Sequence, residues 1–130
     1  MAINVLHCKP EFVDDRGGIT RIVDQDKFAI RAVLRITSKA GSVRSNHYHK
    51  NDYHYLYVES GKCEYSEKPA DKPHAKVETV TLKPGDLVLS SPGIIHAVKF
   101  LEDTILYAFT TEKRVQDKYE KDTKRITIIV

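Results

Sequence analysis

Apolar residues along this chain recur mostly at every second position, with Val, Ile, Thr and Tyr placed where strands favour them. A period of two is the mark of strands that bury one face. The pattern predicts strands over Ile3–Cys8, Gly18–Val23, Phe28–Thr37, Val43–His49, Tyr53–Glu59, Lys62–Glu67, Ala75–Leu82, Asp86–Ser90, Ile95–Phe100 and Thr104–Thr110. Gly, Pro, Asp or Asn punctuate most of the gaps. Ser60-Gly61 suits a two-residue hairpin turn, and Lys83-Pro84-Gly85-Asp86 a tight turn with Pro second and Gly third. So many short strands in one chain imply an all-β sandwich or barrel.

Two stretches depart from this pattern. Lys68–His74 contains two prolines and alternating charges, which reads as an exposed hairpin tip with His74 in solvent. Between Glu112 and Arg125 ten of fourteen residues are charged, and Val115 with Tyr119 offers only a narrow helical face, so a short C-terminal helical turn is predicted. The closing run Ile126–Val130 is apolar and β-forming and needs cover. Together with the apolar Ile3–Cys8 strand it predicts a homodimer whose terminal strands shield one another.

Composition narrows the class. At 130 residues, 41% hydrophobic and 30% charged, the chain is expected to form a single globular domain over 1–130. Its 21 basic and 18 acidic residues are interleaved and leave a net charge of +3, without the basic stripe that nucleic acid requires. Cys8 and Cys63 stand far apart with no CxxC spacing, so reduced thiols are expected. No basic-flanked apolar leader and no apolar run of roughly 20 residues is present, which predicts a cytoplasmic protein without a membrane partner.

The histidines carry the chemistry. His47, His49 and His54 fall within eight residues, and His96 follows 42 residues after His54. Two positions apart on a strand, His47 and His49 share a face with Cα atoms about 6.5–7 Å apart, close enough to converge on one ion. On its own strand His54 shares a face with Leu56 and Val58, as His96 does with Val98 and Phe100. All four are thereby directed to one interior and form a candidate metal set. His7 reads as a satisfied core residue, and Arg31 and Arg35 as exposed or interfacial.

These residues resemble the two motifs of the cupins. Gly41, His47, His49 and Gly61 match the first, over about 41–61, with His54 where the family carries Glu. Gly85, Gly93 and His96 match the second, over about 85–100, with Ser91 and Phe100 at its Pro and Asn positions. The resemblance implies a jelly-roll-like cupin β-barrel with a metal pocket. Four neutral imidazoles would suit Fe, Ni, Zn, Mn or Cu, a divalent transition metal, better than Mg or Ca. Asp15-Arg16-Gly17-Gly18 and Arg44-Ser45-Asn46-His47-Tyr48-His49-Lys50 are also similar to stretches of the dTDP-sugar epimerase and 3,4-ketoisomerase branch, whose histidines act on the sugar ring without metal. That likeness implies His47 and His49 as proton carriers, with Tyr48 a candidate beside them. It also implies Arg44 and Lys50 as contacts to a nucleotide sugar's diphosphate.

Three functions fit. The first is a metal-binding isomerase or epimerase of a sugar or nucleotide-linked keto-sugar, with a small-molecule substrate. The second is an Fe(II)-dependent dioxygenase. The third is a non-catalytic cupin that binds a small ligand.

Overall fold

The alternation that predicts strands also divides inside from outside. A computed structural model describes residues 3–130. In His54–Ser60 (β6), His54, Leu56 and Val58 are buried while Tyr55 and Tyr57 stand half-buried on the other face. Thr104–Thr110 (β11) repeats this with Thr104, Leu106, Ala108 and Thr110 inward. Ahead of β6 in the chain lie Leu6–His7 (β1), Pro10–Asp14 (β2), Gly17–Thr20 (β3), Ala32–Ser38 (β4) and Val43–His49 (β5). Cys63–Pro69 (β7), Glu78–Leu82 (β8), Asp86–Ser90 (β9) and Ile94–Phe100 (β10) complete the sequence up to β11. A helix, Gln116–Asp122 (α1), and the short strand Thr123–Arg125 (β12) follow.

Among the described residues the strands form two antiparallel sheets of five, ordered β1-β9-β6-β11-β4 and β12-β5-β10-β7-β8, with β2–β3 a separate hairpin. Face to face, the two sheets enclose a core of Val58, Cys63, Tyr65, Leu82, Val88, Val98, Phe100 and Leu106. Burying each such side chain stabilises the fold by roughly 1.5–3 kcal/mol before entropy is counted. The all-β barrel and the short helix match the expectation from the sequence. Gly61 (φ +88°) and Gly85 (φ +94°) sit in left-handed backbone at the two turns that the pattern marked, and Asp86 N–H donates to Lys83 O across the second.

Several boundaries differ. The strand expected over Phe28–Thr37 begins only at Ala32, because Phe28 leaves the sheet to stack on Tyr53 at 4.5 Å between ring centroids. Residues 10–14, which the sequence pattern passes over, pair with β3. Ile126–Val130 forms no strand; Asn46 clamps it instead, its Oδ1 accepting from Ile128 N–H and Ile129 N–H and its Nδ2 donating to Ile129 O. Asn46 is free for this because β5 bulges: His96 pairs with His47 but Ala97 pairs with Ser45, which leaves Asn46 as the extra residue. Ser45 (φ 73°) and Asn46 (φ 55°) both take left-handed backbone there. His7 is half exposed rather than in the core, with Nδ1 2.8 Å from the Asp86 carboxylate.

Candidate functional site

β5 supplies His47 and His49, β6 supplies His54 and β10 supplies His96, and all four are buried. Ring centroids lie 4.7 Å apart for His47–His49 and for His47–His96, and 4.4 Å for His49–His54. The four imidazoles expected to act as one set instead resolve into two overlapping triads, His47/His49/His96 and His49/Asp52/His54. Within each, the ligand atoms lie within 4.8 Å of one another. What separates His54 is Asp52, whose Oδ2 sits 2.7 Å from His54 Nε2. A carboxylate accepts, so Nε2 carries the proton. The other oxygen, Oδ1, accepts from the N–H and hydroxyl of Thr111 and from the N–H of Glu112. Burial alone raises the Asp52 pKa, but the His54 and Thr111 hydrogen bonds outweigh it and the net shift is downward.

Hydrogen-bond direction also settles His49. Thr123 gives its one hydroxyl proton to the carbonyl of Tyr119 at 2.7 Å, so toward His49 Nδ1, 3.2 Å away, its oxygen accepts. The His49 proton is therefore on Nδ1, and its Nε2 is bare, buried and without a partner. His47 Nδ1 is likewise buried without a partner. Burial first, and then the neighbouring imidazoles, lower His47 to about 3. His49 is lowered to about 4 by burial and His54, against the opposing pull of Asp52 and Asp122. Burial also pushes His96 well below its ordinary value. All three rings are neutral at neutral pH, in the form that accepts a proton or ligates a cation.

This donor set fits a first-row transition ion. His47, His49 and His96 are neutral nitrogen ligands within reach of one point, and two of their buried nitrogens lack any other partner. His54 is committed to Asp52. His47, His54 and His96 line a cavity of about 580 Å³ between β4 and β5; His49, packed against His47 and His54, is not among its lining residues. Leu34, Ile36, Leu56 and Ala108 form its apolar wall, while Arg35, Arg44, Arg114 and Arg125 ring it. Tyr119 closes one side, its ring 5.7 Å from that of His49 and with the Arg114 guanidinium 4.1 Å above it.

Residues 34–111 match the model of the cupin domain family. The chain belongs to the cupin family. Solved structures with the same fold include a sugar 3,4-ketoisomerase from Thermoanaerobacterium thermosaccharolyticum in complex with TDP. That structure is 20% identical with a TM-score of 0.75, over 95% of this chain and 87% of the other. A 3,4-ketoisomerase from Helicobacter canadensis is 17% identical with a TM-score of 0.77, over 96% and 91%. The dTDP-4-dehydrorhamnose 3,5-epimerase from Sulfolobus tokodaii is 21% identical with a TM-score of 0.79, over 97% and 77%. At these identities the likeness is one of fold. No curated protein sequence matches the chain.

In this cupin Tyr48 and Lys50, expected at the site, do not line the cavity. Strand alternation turns Tyr48 to the face opposite His47 and His49, and Lys50 is exposed just beyond the end of β5, its N–H bonded to Asp122 O. Arg44 does line the cavity, and its Nε donates to Ser38 Oγ. Arg35, read from the sequence as exposed or interfacial, borders the same space. The sequence reading missed Asp52, Tyr119, Asp122 and Thr123. Asp52 had a signal, standing two residues before His54, but the others lie in the charged tail beyond the family's matched stretch. Only the return of α1 and β12 along β5 brings them to His49.

Proposed function

We propose that this cupin isomerises or epimerises a nucleotide-linked keto-sugar. The observation that carries the reading is His49: a neutral, buried imidazole with its proton fixed on Nδ1 and a bare Nε2, beside a cavity ringed by four arginines. Such a ring is unprotonated at neutral pH and so is available to accept a proton. It removes a proton from the carbon next to the keto group. Tyr119, at the cavity wall, takes the proton-carrying role considered for Tyr48 and returns a proton to the substrate. Arg35, Arg44, Arg114 and Arg125 meet the diphosphate, for which a guanidinium offers a two-pronged fit. The likeness to ketoisomerases and an epimerase, one of them complexed with TDP, supports the substrate class.

A second reading, favoured by the His47/His49/His96 triad, is metal-dependent. When bound there, a divalent transition ion supplies Lewis-acid polarisation of a substrate oxygen. Elemental analysis of untagged protein identifies any such ion, and oxygen consumption with Fe(II) tests an oxidative role. The reading also takes the protein to be a cytoplasmic homodimer. The β2–β3 hairpin joins neither sheet and leaves Phe12 (51%), Val13 (67%) and Ile19 (61%) exposed, as a partner-covered element would. Light scattering at the monomer mass would remove the dimer.

The decisive experiment is deuterium exchange. TDP-4-keto-6-deoxyglucose, seen bound in one 3,4-ketoisomerase of this fold, is incubated with the protein in deuterated water, with and without a chelator. Label is expected at the carbon beside the carbonyl, abolished by His49→Ala. Tyr119→Phe is expected to retain exchange but lose product. Uptake unchanged in His49→Ala, or absent for every keto-sugar nucleotide tried, overturns the proposal.

A further inference from the structure

Away from the histidines, a second opening of about 420 Å³ lies along β9. It shares no lining residue with the main cavity. β1 pairs with β9 at Leu6↔Leu87 and His7↔Asp86 and no further among the described residues, whereas β6 pairs with the other edge of β9 up to Ser90. The stretch of β9 after Leu87 is thus free of a strand on its β1 side, and the opening follows it. Leu6, Leu87, Leu89 and Ile94 make its walls largely apolar.

Into this apolar opening the fold places one acid. Glu67 lines it and is only 4% exposed. Its burial follows from strand phase, since Glu67 lies on the face that turns Cys63 and Tyr65 into the core. The Tyr65 hydroxyl donates to Oε1 at 2.7 Å, and among the described residues Oε2 has no donor. Nor does any described Lys, Arg or His form an ion pair with it. One hydrogen bond leaves much of the desolvation cost of a buried carboxyl unmet. Burial raises the Glu67 pKa; the Tyr65 bond opposes the rise, and Glu78, directly across in the β7–β8 register, adds to it. Like charges opposite one another on neighbouring strands repel, so the complement of this spot is a cation. Lys27 is the one basic lining residue, and it is exposed.

We propose that this opening is a second ligand site, which takes a small primary ammonium compound with an apolar body: the ammonium bonds to Glu67 and the body lies among Leu87, Leu89 and Ile94. Its volume falls in the range of roughly 300–1,000 Å³ typical of small-ligand pockets. An ammonium brings three N–H donors, enough to meet the carboxyl oxygen that Tyr65 leaves open, and a charge that strengthens the bond. A carboxylate ligand meets repulsion at the same place. The inference goes beyond the keto-sugar reading and rests on none of its residues.

The test is proton–carbon NMR on the full chain with labelled Ile, Leu and Val methyls, at neutral pH with chelator. The protein is titrated with n-pentylammonium, 1-pentanol and pentanoate at matched ionic strength. The ammonium is expected to give saturable shifts at Leu87, Leu89 and Ile94 and none at Leu34 and Leu56 of the main cavity. Pentanol is expected to bind more weakly and pentanoate not at all. Glu67→Gln keeps the Tyr65 bond through its amide oxygen but loses the charge, and is expected to weaken ammonium binding about tenfold or more. Shifts that stay linear with ammonium concentration, pentanoate binding as tightly as the ammonium, or unchanged affinity in Glu67→Gln overturns the proposal. So do shifts at these methyls that follow protein concentration instead, since a second copy then fills the opening. Where Glu67→Gln fails to fold, the contrast between ammonium and carboxylate on the wild type decides. Deuterium exchange failing while the ammonium binds removes the keto-sugar reading and leaves this site in place; the reverse result removes only this site.

Discussion

Asp52 is a single side chain on which two parts of the chain 59 residues apart depend. Its replacement separates what its shape contributes from what its charge contributes. In Asp52→Ala the Glu112 N–H, the Thr111 hydroxyl and the His54 Nε2–H lose their acceptor together. Thr111 N–H is spared, since it also donates to Tyr53 O at 3.2 Å. At about 1–1.5 kcal/mol for each orphaned buried donor, the expected loss is about 3–4 kcal/mol. Asp52→Asn is milder. The amide oxygen still accepts from Thr111 and Glu112, while the amide NH₂ now faces His54 and needs that ring to present a bare Nε2. Losing the charge and shifting the His54 tautomer is expected to cost about 1–2 kcal/mol.

Urea unfolding at pH 7 with chelator measures both, read at constant slope so that midpoints report stability. The direction with pH follows from the lowered Asp52 pKa. Its stabilisation is full above the unfolded carboxyl value of 3.8 and drains away as pH falls through the lower folded value. Wild type therefore loses stability from this group in acid, and Asp52→Asn does not. An Asp52→Ala protein within about 1 kcal/mol of wild type, or an Asn variant as weak as the Ala one, would falsify the assignment of Asp52 as the tie between the β5–β6 turn and the end of β11.

Three further outcomes are expected. His47 (about 3) and His49 (about 4) refuse protons that the unfolded chain takes up below 6.5, so stability falls as pH drops from 7 to 5, by about 2 kcal/mol per imidazole. His96 acts in the same direction and Glu67, raised by burial, in the other; a flat urea midpoint across that range with chelator present refutes the buried neutral cluster. Ser45→Gly should raise stability by about 0.5–1 kcal/mol, since Ser45 holds φ 73° and glycine does so without strain; a lowered midpoint counts against the bulge. His47→Leu is expected to be neutral or stabilising, because it deletes a buried nitrogen that has no partner, and on the metal-dependent reading it also lowers metal content. By contrast His54→Leu should destabilise by a few kcal/mol by taking a proton donor from Asp52; equal effects of the two in thermal melts would refute the difference between the rings.

How far the sequence discloses this molecule depends on how local the cause is. The inward set of His47, His49, His54 and His96 was legible because a strand's period of two leaves each side chain one of two faces. Gly61 and Gly85 were legible because their turns need left-handed backbone. The bulge at Asn46 was not, because Ser45 and Asn46 are not glycines and yet take left-handed backbone at φ 73° and 55°. Glu67 had a signal too. An acid in phase with Cys63 and Tyr65 on a strand with a buried face faces inward, and an inward acid needs partners. Tyr119, Asp122 and Thr123 had none, because ten charges in fourteen residues read as a solvated helix. Their role depends on β12 pairing with β5, a contact between segments more than 70 residues apart that no short pattern encodes.

The histidines differ less in burial than in what holds their outer nitrogen. His54 is held by Asp52, His49 by Thr123, and His96 by Ser90. Each holder comes from a different element, and each leaves its ring one nitrogen unspent. His47 alone, among the described residues, has no such holder, although it lines the cavity. Its ring is therefore the one whose orientation the fold leaves least determined, since a flip about its outer bond breaks no hydrogen bond. Two rings of fixed tautomer, a third tied to Ser90 and one free ring make a site that is preorganised on the barrel side and adjustable on the cavity side. Binding of a keto-sugar or a cation in this cavity should order His47 while leaving the tautomers of His49 and His54 unchanged.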